Sequence, residues 1–365
     1  MNFNDLKIKK ELVEILNKNG IVEPTEIQKK SIPLIKNNLD VIAEAQTGTG
    51  KTLAFLVPII EKINLDDKNV QALILSPTRE LAIQIYNEAK KLTTDISVLP
   101  CYGGVDISRQ IKKLQSNTQL IVATPGRLLD HLMRKTIDLS KIKTLVLDEA
   151  DEMLFMGFKN DIEKIITFMP KKKQILAFSA TMDPKVKKLA YRYMEDPSVV
   201  SIKKENITLD NITQEVVITT DRQKQDDLCK VLEIDNPFLA IIFCRTKARV
   251  DKLELDLGKK GYNCEKLHSD VKQSKRERIM KNFRDAKIQY LIATDVAARG
   301  IDVTGVTHIY NYDIPENTES YIHRIGRCGR NKEKGNTTLF VSIKDIDSLK
   351  DLEKFIGNKI EERIL

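Results

Sequence analysis

The sequence predicts an α/β protein with two doubly wound parallel sheets joined by a short linker. The chain has 365 residues, 41% of them hydrophobic, which is enough for two domains of ~150 residues, each with its own core. Short apolar runs alternate with amphipathic segments along most of the chain. The alternation stops at the polar run Lys203–Asn211 and then starts again. This pattern is typical of two consecutive α/β domains.

In the first half, the apolar runs predict strands and the amphipathic segments predict helices. The predicted strands are Asp40–Ala43, Ala72–Ser76, Val98–Tyr102, Leu120–Ala123, Thr144–Leu147, Ile175–Ser179 and Val199–Ile202. The predicted helices are Leu53–Ile60, Arg79–Lys91, Ile107–Gln115, Arg127–Arg134 and Asp183–Tyr193. Strands that alternate with helices in this way indicate βαβ units, in which a parallel sheet carries helices on both faces.

The second half repeats the pattern without a glycine-rich loop of its own. Its predicted strands are Glu215–Thr219, Ala240–Phe243, Cys264–Leu267, Tyr290–Ala293, His308–Asn311 and Thr337–Val341, and its last predicted helix is Asp345–Ile356. We therefore predict domains over residues 1–204 and 213–365, with a linker over residues 205–212.

Composition argues against several classes of protein. No run approaches the ~20 apolar residues of a membrane-spanning helix, and Met1–Asp5 lacks the features of a secretory signal. The five cysteines include no Cys-x-x-Cys pair and are odd in number, which argues against a disulfide framework or a zinc site and favours a reducing cytoplasm. The net charge of +8 is compatible with a polyanionic partner and equally with a lysine-rich solvated surface.

Residues Ala45–Thr52 predict a phosphate-binding loop between a strand and a helix. Gly48 and Gly50 allow the backbone N–H groups to approach a polyphosphate. Lys51 would reach the outer phosphates, and the hydroxyl of Thr52 would hold Mg²⁺. The predicted nucleotide contacts of this loop are Gln46, Thr47, Gly48, Thr49, Gly50, Lys51 and Thr52. Ala45 stands where the usual pattern has glycine, and a plain glycine turn is the alternative interpretation.

Two adjacent carboxylates follow the apolar run Leu145–Leu147. They would lie at the carboxyl end of a strand, where open α/β sheets bind their ligands. We expect Asp148 to hold Mg²⁺ at the outer phosphates and Glu149 to orient and deprotonate the attacking water. The alternative is a solvated helix N-terminus, where acidic residues are favoured. The phosphate-binding loop upstream favours the catalytic interpretation.

The string Asp148-Glu149-Ala150-Asp151 resembles the signature of the DEAD-box RNA helicases of superfamily two, whose two domains are RecA-like. The resemblance extends along nearly the whole chain, with the family's motifs in their usual order. Phe3, Gly20-Ile21, Pro24-Thr25 and Ile27-Gln28 resemble the adenine-reading Q motif. This implies that Phe3 stacks on the base and that Gln28 pairs with its edge. Taken alone, the same residues would be a helix start capped by Thr25.

Further strings in the first domain resemble the family's RNA-facing motifs and its hinge motif. The resemblance implies RNA contacts from Pro77, Thr78, Arg79, Gly104, Thr124, Gly126 and Arg127. Helix-start N–H groups and arginines suit phosphate oxygens, although ordinary helix capping explains each string alone. The string Ser179-Ala180-Thr181 resembles the motif that couples ATP to RNA through hydroxyl bonds to Asp151.

In the second domain, His323–Arg330 resembles the motif that supplies arginine fingers to the γ-phosphate. The resemblance implies that Arg327 and Arg330 are these fingers and that His323 couples the domains. A surface basic cluster is the alternative. Cys328 replaces the family's usual threonine, with little expected effect because both side chains are small.

Other second-domain motifs also match. The resemblance implies that Asp302 binds the ATP ribose. It implies RNA contacts from Arg245, Thr246, Arg276, Thr294, Arg299 and Gly300. Ser269 replaces a glycine in the family's His-Gly-Asp string, which would restrict the backbone there.

The resemblance therefore implies an ATP-dependent RNA helicase that uses ATP and Mg²⁺ and binds single-stranded RNA or a short duplex mainly through the RNA backbone. We expect a cytoplasmic monomer without a membrane partner. Two alternatives remain at this point. One is a DNA helicase or translocase of the same superfamily, and the other is an ATP-gated RNA clamp without turnover.

Overall fold

A computed structural model describes residues 2–45, 48–114, 117–182, 184–202, 212–298, 303, 305–328 and 334–365. The chain divides into two compact units, Met1–Lys204 and Glu205–Leu365, and each is considered by itself. The polar run at residues 203–211, which includes all but the last residue of the predicted linker 205–212, lies outside the described residues, and Ile212 begins a strand. Both units are α/β with parallel sheets, so the predicted fold class is confirmed.

In the described part of the first unit, seven parallel strands form one sheet in the order β3-β4-β2-β5-β6-β1-β7. The strands are β1 Val41–Glu44, β2 Ala72–Leu75, β3 Val98–Cys101, β4 Leu120–Ala123, β5 Thr144–Asp148, β6 Gln174–Ser179 and β7 Ser198–Ser201. Each lies within two residues of its prediction. The proline of β3, Pro100, is tolerated because β3 is an edge strand.

Helices cover both faces of this sheet. They are α1 Lys10–Lys18, α2 Glu26–Lys36, α3 Lys51–Lys62, α4 Arg79–Leu92, α5 Ile107–Leu114, α6 Pro125–Met133, α7 Ala150–Phe155, α8 Lys159–Thr167 and α9 Pro184–Tyr193. Successive strand residues alternate between the two apolar clusters: Ala72 and Ile74 belong to one, Leu73 and Leu75 to the other. Burial on both faces explains why the central strands are continuous apolar runs in the sequence.

The described part of the second unit also has seven parallel strands, in the order β10-β11-β9-β12-β13-β8-β14. They are β8 Ile212–Thr219, β9 Ala240–Phe243, β10 Cys264–Leu267, β11 Tyr290–Ala293, β12 His308–Asn311, β13 Gly335–Ser342 and β14 Glu361–Glu362. Its helices are α10 Lys224–Asp235, α11 Lys247–Lys259, α12 Gln273–Arg284, α13 Asp295–Ala298, α14 Thr318–Ile325 and α15 Ile346–Ile356, with a 3₁₀ turn at Ile343–Asp345. The sequence analysis did not predict β14, whose two residues pair with β8.

Strand order in the first unit separates the two sets of predicted motifs along the carboxyl edge of its sheet. The phosphate-binding loop follows β1, the acidic motif follows β5 and the coupling motif follows β6, and these three strands are neighbours. The RNA-facing motifs follow β2, β3 and β4, which are also neighbours. Parallel strands end at a common edge, so each set converges there. In the described residues no helix has the length and apolar character to cross a membrane.

Candidate nucleotide site and nucleic-acid interface

The turn between β1 and α3 depends on two glycines with left-handed backbones. Gly48 has φ 82° and Gly50 has φ 90°, a region that other residues rarely adopt. A Cβ atom on Gly50 would lie 2.5 Å from Nε2 of Gln28. Gly50 is therefore required by its own conformation and by the side chain packed against it. The predicted contacts Gln46 and Thr47 lie outside the described residues, whereas Thr49 lies within the turn between the two glycines.

Lys51 is the first residue of α3, and its side chain is buried. Its Nζ donates to the carbonyl of Ala45 at 2.8 Å, across the base of the loop. Thr52 follows in the first helical turn and is half-buried. The unpaired N–H groups of this turn and the helix dipole favour an anion at this point.

Gln28 connects the Q motif to the phosphate-binding loop. Its Oε1 accepts from the N–H of Thr25 at 3.0 Å, and its Nε2 donates to the carbonyl of Gly50 at 3.0 Å. The first contact caps α2, as the plain alternative predicts, while the second reaches 22 residues along the chain. Phe3 is 1% exposed and packs in the apolar core, so its stacking on a base stays a prediction.

Asp148 and Glu149 end β5 and begin α7. Burial raises the pKa of the Asp148 carboxyl to about 7, although the Lys51 ammonium opposes this shift. Glu149 has φ 51° and ψ 53°, a left-handed conformation that costs a non-glycine residue ~1–3 kcal/mol. Strained backbone and desolvated carboxylates concentrate at functional sites, so both observations support a catalytic role for this turn.

The pKa of Asp148 predicts how Asp148→Asn changes stability in EDTA. The unfolded carboxyl loses its proton near pH ~4, but the folded one keeps it until about pH 7. The unfolded state thus binds fewer protons between these values, so this carboxyl makes the wild type less stable as pH rises. Asparagine carries no charge, and we expect Asp148→Asn to be more stable than the wild type by ~1–4 kcal/mol at pH 8 and nearly equal at pH 4.

Urea unfolding at both pH values measures this difference. Asp66→Asn, at an exposed loop residue, is the matched control. If Asp148→Asn differed from the wild type by the same free energy of unfolding at both pH values, the folded Asp148 carboxyl would not keep its proton up to about pH 7.

Asp151 bonds directly to the Ser-Ala-Thr string after β6. Its Oδ2 accepts from the N–H of Ala180 at 3.1 Å and from the N–H and hydroxyl of Thr181 at 2.8 and 3.0 Å. The hydroxyl of Ser179 accepts from the N–H of Asp151 at 3.3 Å and donates to the Thr181 carbonyl. The two motifs are thus tied together by backbone and side-chain hydrogen bonds.

The RNA-facing strings of the first unit form a continuous group at the carboxyl ends of β2, β3 and β4. Thr78 is buried and caps α4 by accepting from the N–H of Leu81, and Pro77 beside it is also buried. The Arg79 guanidinium lies over Gly103, where an added Cβ would be 3.4 Å from Nη2.

The other RNA-facing residues of this unit lie nearer the surface. Gly104 is exposed in a left-handed turn, with φ 85°. Thr124 precedes α6 without a side-chain capping bond, and Gly126 in its first turn is exposed. Arg127 is half-buried and donates from Nη1 and Nη2 to the Val105 carbonyl, both at 3.0 Å.

In the second unit, Arg324 is the second residue of the predicted arginine motif and is buried in the structure. Its Nε and Nη2 form a two-pronged contact with the carboxylate of Asp295 at 2.5 and 2.6 Å, and the guanidinium lies over the Phe243 ring. Nη1 donates to Oδ1 of Asn311 at 2.9 Å. Arg324 is 2% exposed, so it holds α13 and α14 against the sheet. Nε of Arg327, one turn before the end of the motif, donates to the His323 carbonyl at 3.2 Å.

The remaining described second-unit predictions differ in exposure. Arg276 is buried, and its Nη1 donates to the His268 carbonyl at 2.9 Å, so a direct RNA contact from it stays a prediction. Arg245 and Thr246 are exposed after β9, and the Thr246 hydroxyl caps α11. Thr294 is half-buried between β11 and α13.

Two departures from the family pattern are accommodated locally. Ser269 is absent from the residues with positive φ, so its backbone does not require glycine. The Cys328 thiol donates to the Ile325 carbonyl at 3.3 Å, as a threonine hydroxyl could. Burial raises the pKa of this thiol to about 12, so it stays protonated. The predicted contacts Arg299, Gly300, Asp302 and Arg330 lie outside the described residues.

Sequence reasoning did not assign Gln110, His131 or Arg324 a role. Gln110 in α5 bonds to Arg127 in α6, and His131, also in α6, bonds to Gln110. For Arg324 a signal existed, since it shares one face of α14 with the buried Tyr321 and Ile325. An arginine at an otherwise apolar helix position indicates a buried ion pair rather than a surface cluster.

Comparison with known proteins agrees with this arrangement of motifs. The DEAD/DEAH box helicase family model matches residues 25–189, and the helicase conserved C-terminal domain matches residues 223–332. The chain is 47% identical over 363 residues to the DEAD-box ATP-dependent RNA helicase CshA of Bacillus subtilis, covering 99% of this chain and 74% of that protein. It is 48% identical to the ATP-dependent RNA helicase CshA of Limosilactobacillus reuteri, covering 97% and 72%.

Solved structures that resemble this chain include RNA-bound proteins of the same fold. The chain resembles S. cerevisiae Dbp5 bound to RNA and ADP BeF3, with a TM-score of 0.91 and 32% identity over 99% of this chain and 95% of that one. It also resembles Mss116p bound to ssRNA and AMP-PNP, with a TM-score of 0.87 and 31% identity over 98% and 78%. Since both domain families match in order and the relatives align along nearly the whole chain, the protein belongs to the DEAD-box family of ATP-dependent RNA helicases.

Proposed function

We propose that the protein hydrolyses ATP when it binds RNA and uses this cycle to unwind short RNA duplexes locally or to remodel RNA–protein complexes. The main supporting observation is that nucleotide motifs and RNA-facing motifs occupy neighbouring halves of one sheet edge in the first unit. The solved structures of Dbp5 and Mss116p, each bound to RNA together with an ATP analogue, support the same pair of ligands.

In this proposal, the N–H groups of the phosphate-binding loop and Lys51 hold the phosphates, and Gln28 reads the adenine edge. Glu149 orients the attacking water and takes its proton. In the second unit, Asp302 binds the ribose. The assignments in the first unit are supported by the family motifs and by the positions of these side chains, whereas that of Asp302 is supported by the family motif alone.

Mg²⁺ would be held by Asp148 and Thr52. The residues fit this ion, because a buried carboxylate and a hydroxyl are hard oxygen ligands. No cluster of three or more His, Cys, Asp or Glu that could hold a metal occurs in the described ranges, and Mg²⁺ bound to nucleotides normally completes its shell with phosphate and water oxygens. When bound, the ion would neutralise charge on the outer phosphates.

Coupling between ATP and RNA would run through Asp151. This residue is two positions after Glu149 and accepts three hydrogen bonds from Ala180 and Thr181. A change of the Glu149 turn on nucleotide binding would therefore shift the backbone after β6. We propose that Ser179, Thr181 and, in the second unit, His323 transmit this change.

RNA would be held mainly by its phosphates and sugars. Arg79 and Arg127 supply charge, and Thr124 supplies a hydroxyl that does not cap its helix. Aromatic residues make up only 5% of the chain and tryptophan is absent, which argues against extensive base stacking. We expect little base specificity and a preference for RNA over DNA through 2′-hydroxyl contacts. Arg245, Thr246, Arg276, Thr294, Arg299 and Gly300 are the proposed second-unit contacts.

The deciding experiment compares ATP hydrolysis with RNA and with DNA of equal length and sequence. We expect RNA to stimulate hydrolysis strongly and DNA weakly. Equal stimulation by both would favour a general translocase, and RNA-dependent ATP binding without phosphate release would favour a clamp. We further propose a cytoplasmic monomer, consistent with five cysteines that all lie in described segments and are free thiols.

A separate prediction concerns Arg327, which we propose contacts the γ-phosphate together with Arg330. Arg327→Ala should lower kcat for ATP ~10- to 100-fold, a partial loss because Arg330 remains. The dissociation constant of ATP should change by less than about threefold, because the finger acts on charge that grows in the transition state. Steady-state hydrolysis at saturating RNA and direct nucleotide binding test this. Arg278→Ala, at an exposed arginine of α12, is the control. Loss of affinity without loss of kcat would contradict the finger role.

A further inference from the structure

The guanidinium of Arg127 is held along only one of its two donor edges. Nη1 and Nη2 donate to the Val105 carbonyl, and Nη1 also donates to Oε1 of Gln110 at 3.1 Å. Within the described residues, the Nε–H and the second Nη2–H have no acceptor. These two donors form the other edge of the fork, and such an edge matches two phosphate oxygens.

Gln110 is 5% exposed in α5, and its amide has a single sensible orientation. Nε2 donates to the Tyr102 carbonyl at 3.0 Å, which leaves Oε1 facing Arg127 and His131. If the amide oxygen and nitrogen were exchanged, the NH₂ group would face the N–H donors of Arg127 and His131, and the oxygen would face the Tyr102 carbonyl. Neither pair could form a hydrogen bond. The side chain therefore has a fixed acceptor at the Arg127 guanidinium.

His131 bonds to the same oxygen of Gln110 as Arg127 does. It is fully buried in α6, with Nε2 at 3.0 Å from Oε1 of Gln110 and Nδ1 at 2.8 Å from the Thr136 hydroxyl. Burial, together with the charge of Arg127, lowers the pKa of His131 to about 4, so the ring is neutral at physiological pH. Because Oε1 of Gln110 can only accept, the proton of the neutral ring lies on Nε2, and Nδ1 is an acceptor that faces the Thr136 hydroxyl.

Two carboxylates near Arg127 are already bonded elsewhere. Asp106 accepts from the N–H of Ser108 at 2.9 Å, and Asp130 accepts from Nε of Arg134 at 2.6 Å. Neither forms an ion pair with Arg127 within 4.0 Å among the described residues. The neutral carbonyl of Val105 and the neutral amide of Gln110 thus orient the guanidinium without neutralising it.

We propose that Gln110 and His131 are positioning residues, which fix one edge of Arg127 so that its Nε/Nη2 edge is presented to an RNA phosphate. This inference rests on the proposed function and extends it to two side chains that do not touch RNA. A pre-oriented arginine loses less side-chain entropy on binding than a mobile one. The benefit is therefore expected in RNA affinity and not in the chemistry of ATP.

The test is a double-mutant cycle on RNA-stimulated ATP hydrolysis. Gln110→Met keeps the side-chain volume but removes its hydrogen bonds. We expect the half-saturating RNA concentration to rise about tenfold, with kcat at saturating RNA and RNA-free hydrolysis within about twofold of the wild type. Combined with Arg127→Ala, Gln110→Met should add less than about twofold to the effect of Arg127→Ala alone, because it acts through that residue. Each variant should also reduce the slope of log affinity against log salt by up to ~0.7.

Gln119→Met is the matched control, because Gln119 is equally buried in the same unit and bonds to Ser97 and Leu65 instead. It should leave RNA affinity and the salt slope unchanged. If Gln110→Met does not fold, Gln110→Glu keeps the size and should weaken RNA binding by placing a negative charge beside Arg127. Additive effects in the cycle, or an unchanged salt slope, would overturn the positioning role. A wild-type protein that RNA does not stimulate would overturn the proposed function as well.

Discussion

Lys51→Ala should bind ATP too weakly to detect, with an increase in the dissociation constant of ~10²–10⁴. The Nζ of Lys51 lies in the phosphate-binding loop, where it already bonds to the Ala45 carbonyl at 2.8 Å. Hydrogen bonds from an ammonium to phosphate oxygens contribute ~1.5–3 kcal/mol each, and Lys51 can offer two of them. Titration of a fluorescent ATP analogue without RNA measures the affinity directly.

The matched control is Lys62→Ala, at the opposite end of the same helix. Nζ of Lys62 bonds to Oδ1 of Asn38 at 2.7 Å and to Oε1 of Gln174 at 3.1 Å, at the amino edge of the sheet. Lys62→Ala should lower the free energy of unfolding and leave ATP affinity unchanged. If both variants lost affinity in proportion to their loss of stability, Lys51 would be a structural residue and not a phosphate ligand.

The sequence predicted the sheets well because strand burial leaves a strong local pattern. Buried parallel strands read as continuous apolar runs, and β4, β9 and β11 begin and end where that pattern predicts. The candidate nucleotide site was predictable for a similar reason, since its motifs follow strands whose carboxyl ends share one edge. The two-residue strand β14 was missed because it is too short and too polar to show alternation.

Contacts between distant segments could not be predicted from the sequence. The bond from Gln28 to the Gly50 carbonyl and the contact between Gln110 and Arg127 join separate elements across 22 and 17 residues. Apolar periodicity fixes which face of a helix is buried, but it does not specify which polar side chain meets which backbone group. Arg324 was given no role for the same reason, since its partner Asp295 lies 29 residues earlier.

The other large effect concerns Glu149→Gln, which should retain ATP binding and lower kcat by ~10²–10⁴. Glutamine has nearly the same shape and can still hold a water by hydrogen bonds, but it cannot accept a proton. The ATP dissociation constant should therefore change by less than about threefold. Single-turnover hydrolysis at saturating RNA, with parallel nucleotide binding, separates the two quantities. A normal hydrolysis rate would show that another group takes the proton.

The left-handed backbone of Glu149 allows the chemical role to be separated from the structural one. Asparagine tolerates this conformation better than glutamate and is favoured before a helix, so Glu149→Asn should raise the free energy of unfolding by up to ~1 kcal/mol. The same variant should be as inactive as Glu149→Gln, because neither amide can act as a base. A variant that is more stable and yet inactive would mean that the strain at Glu149 is retained for its carboxylate. A loss of stability in Glu149→Asn would instead mean that this carboxylate stabilises the turn, and the catalytic interpretation would then rest on the Gln variant alone.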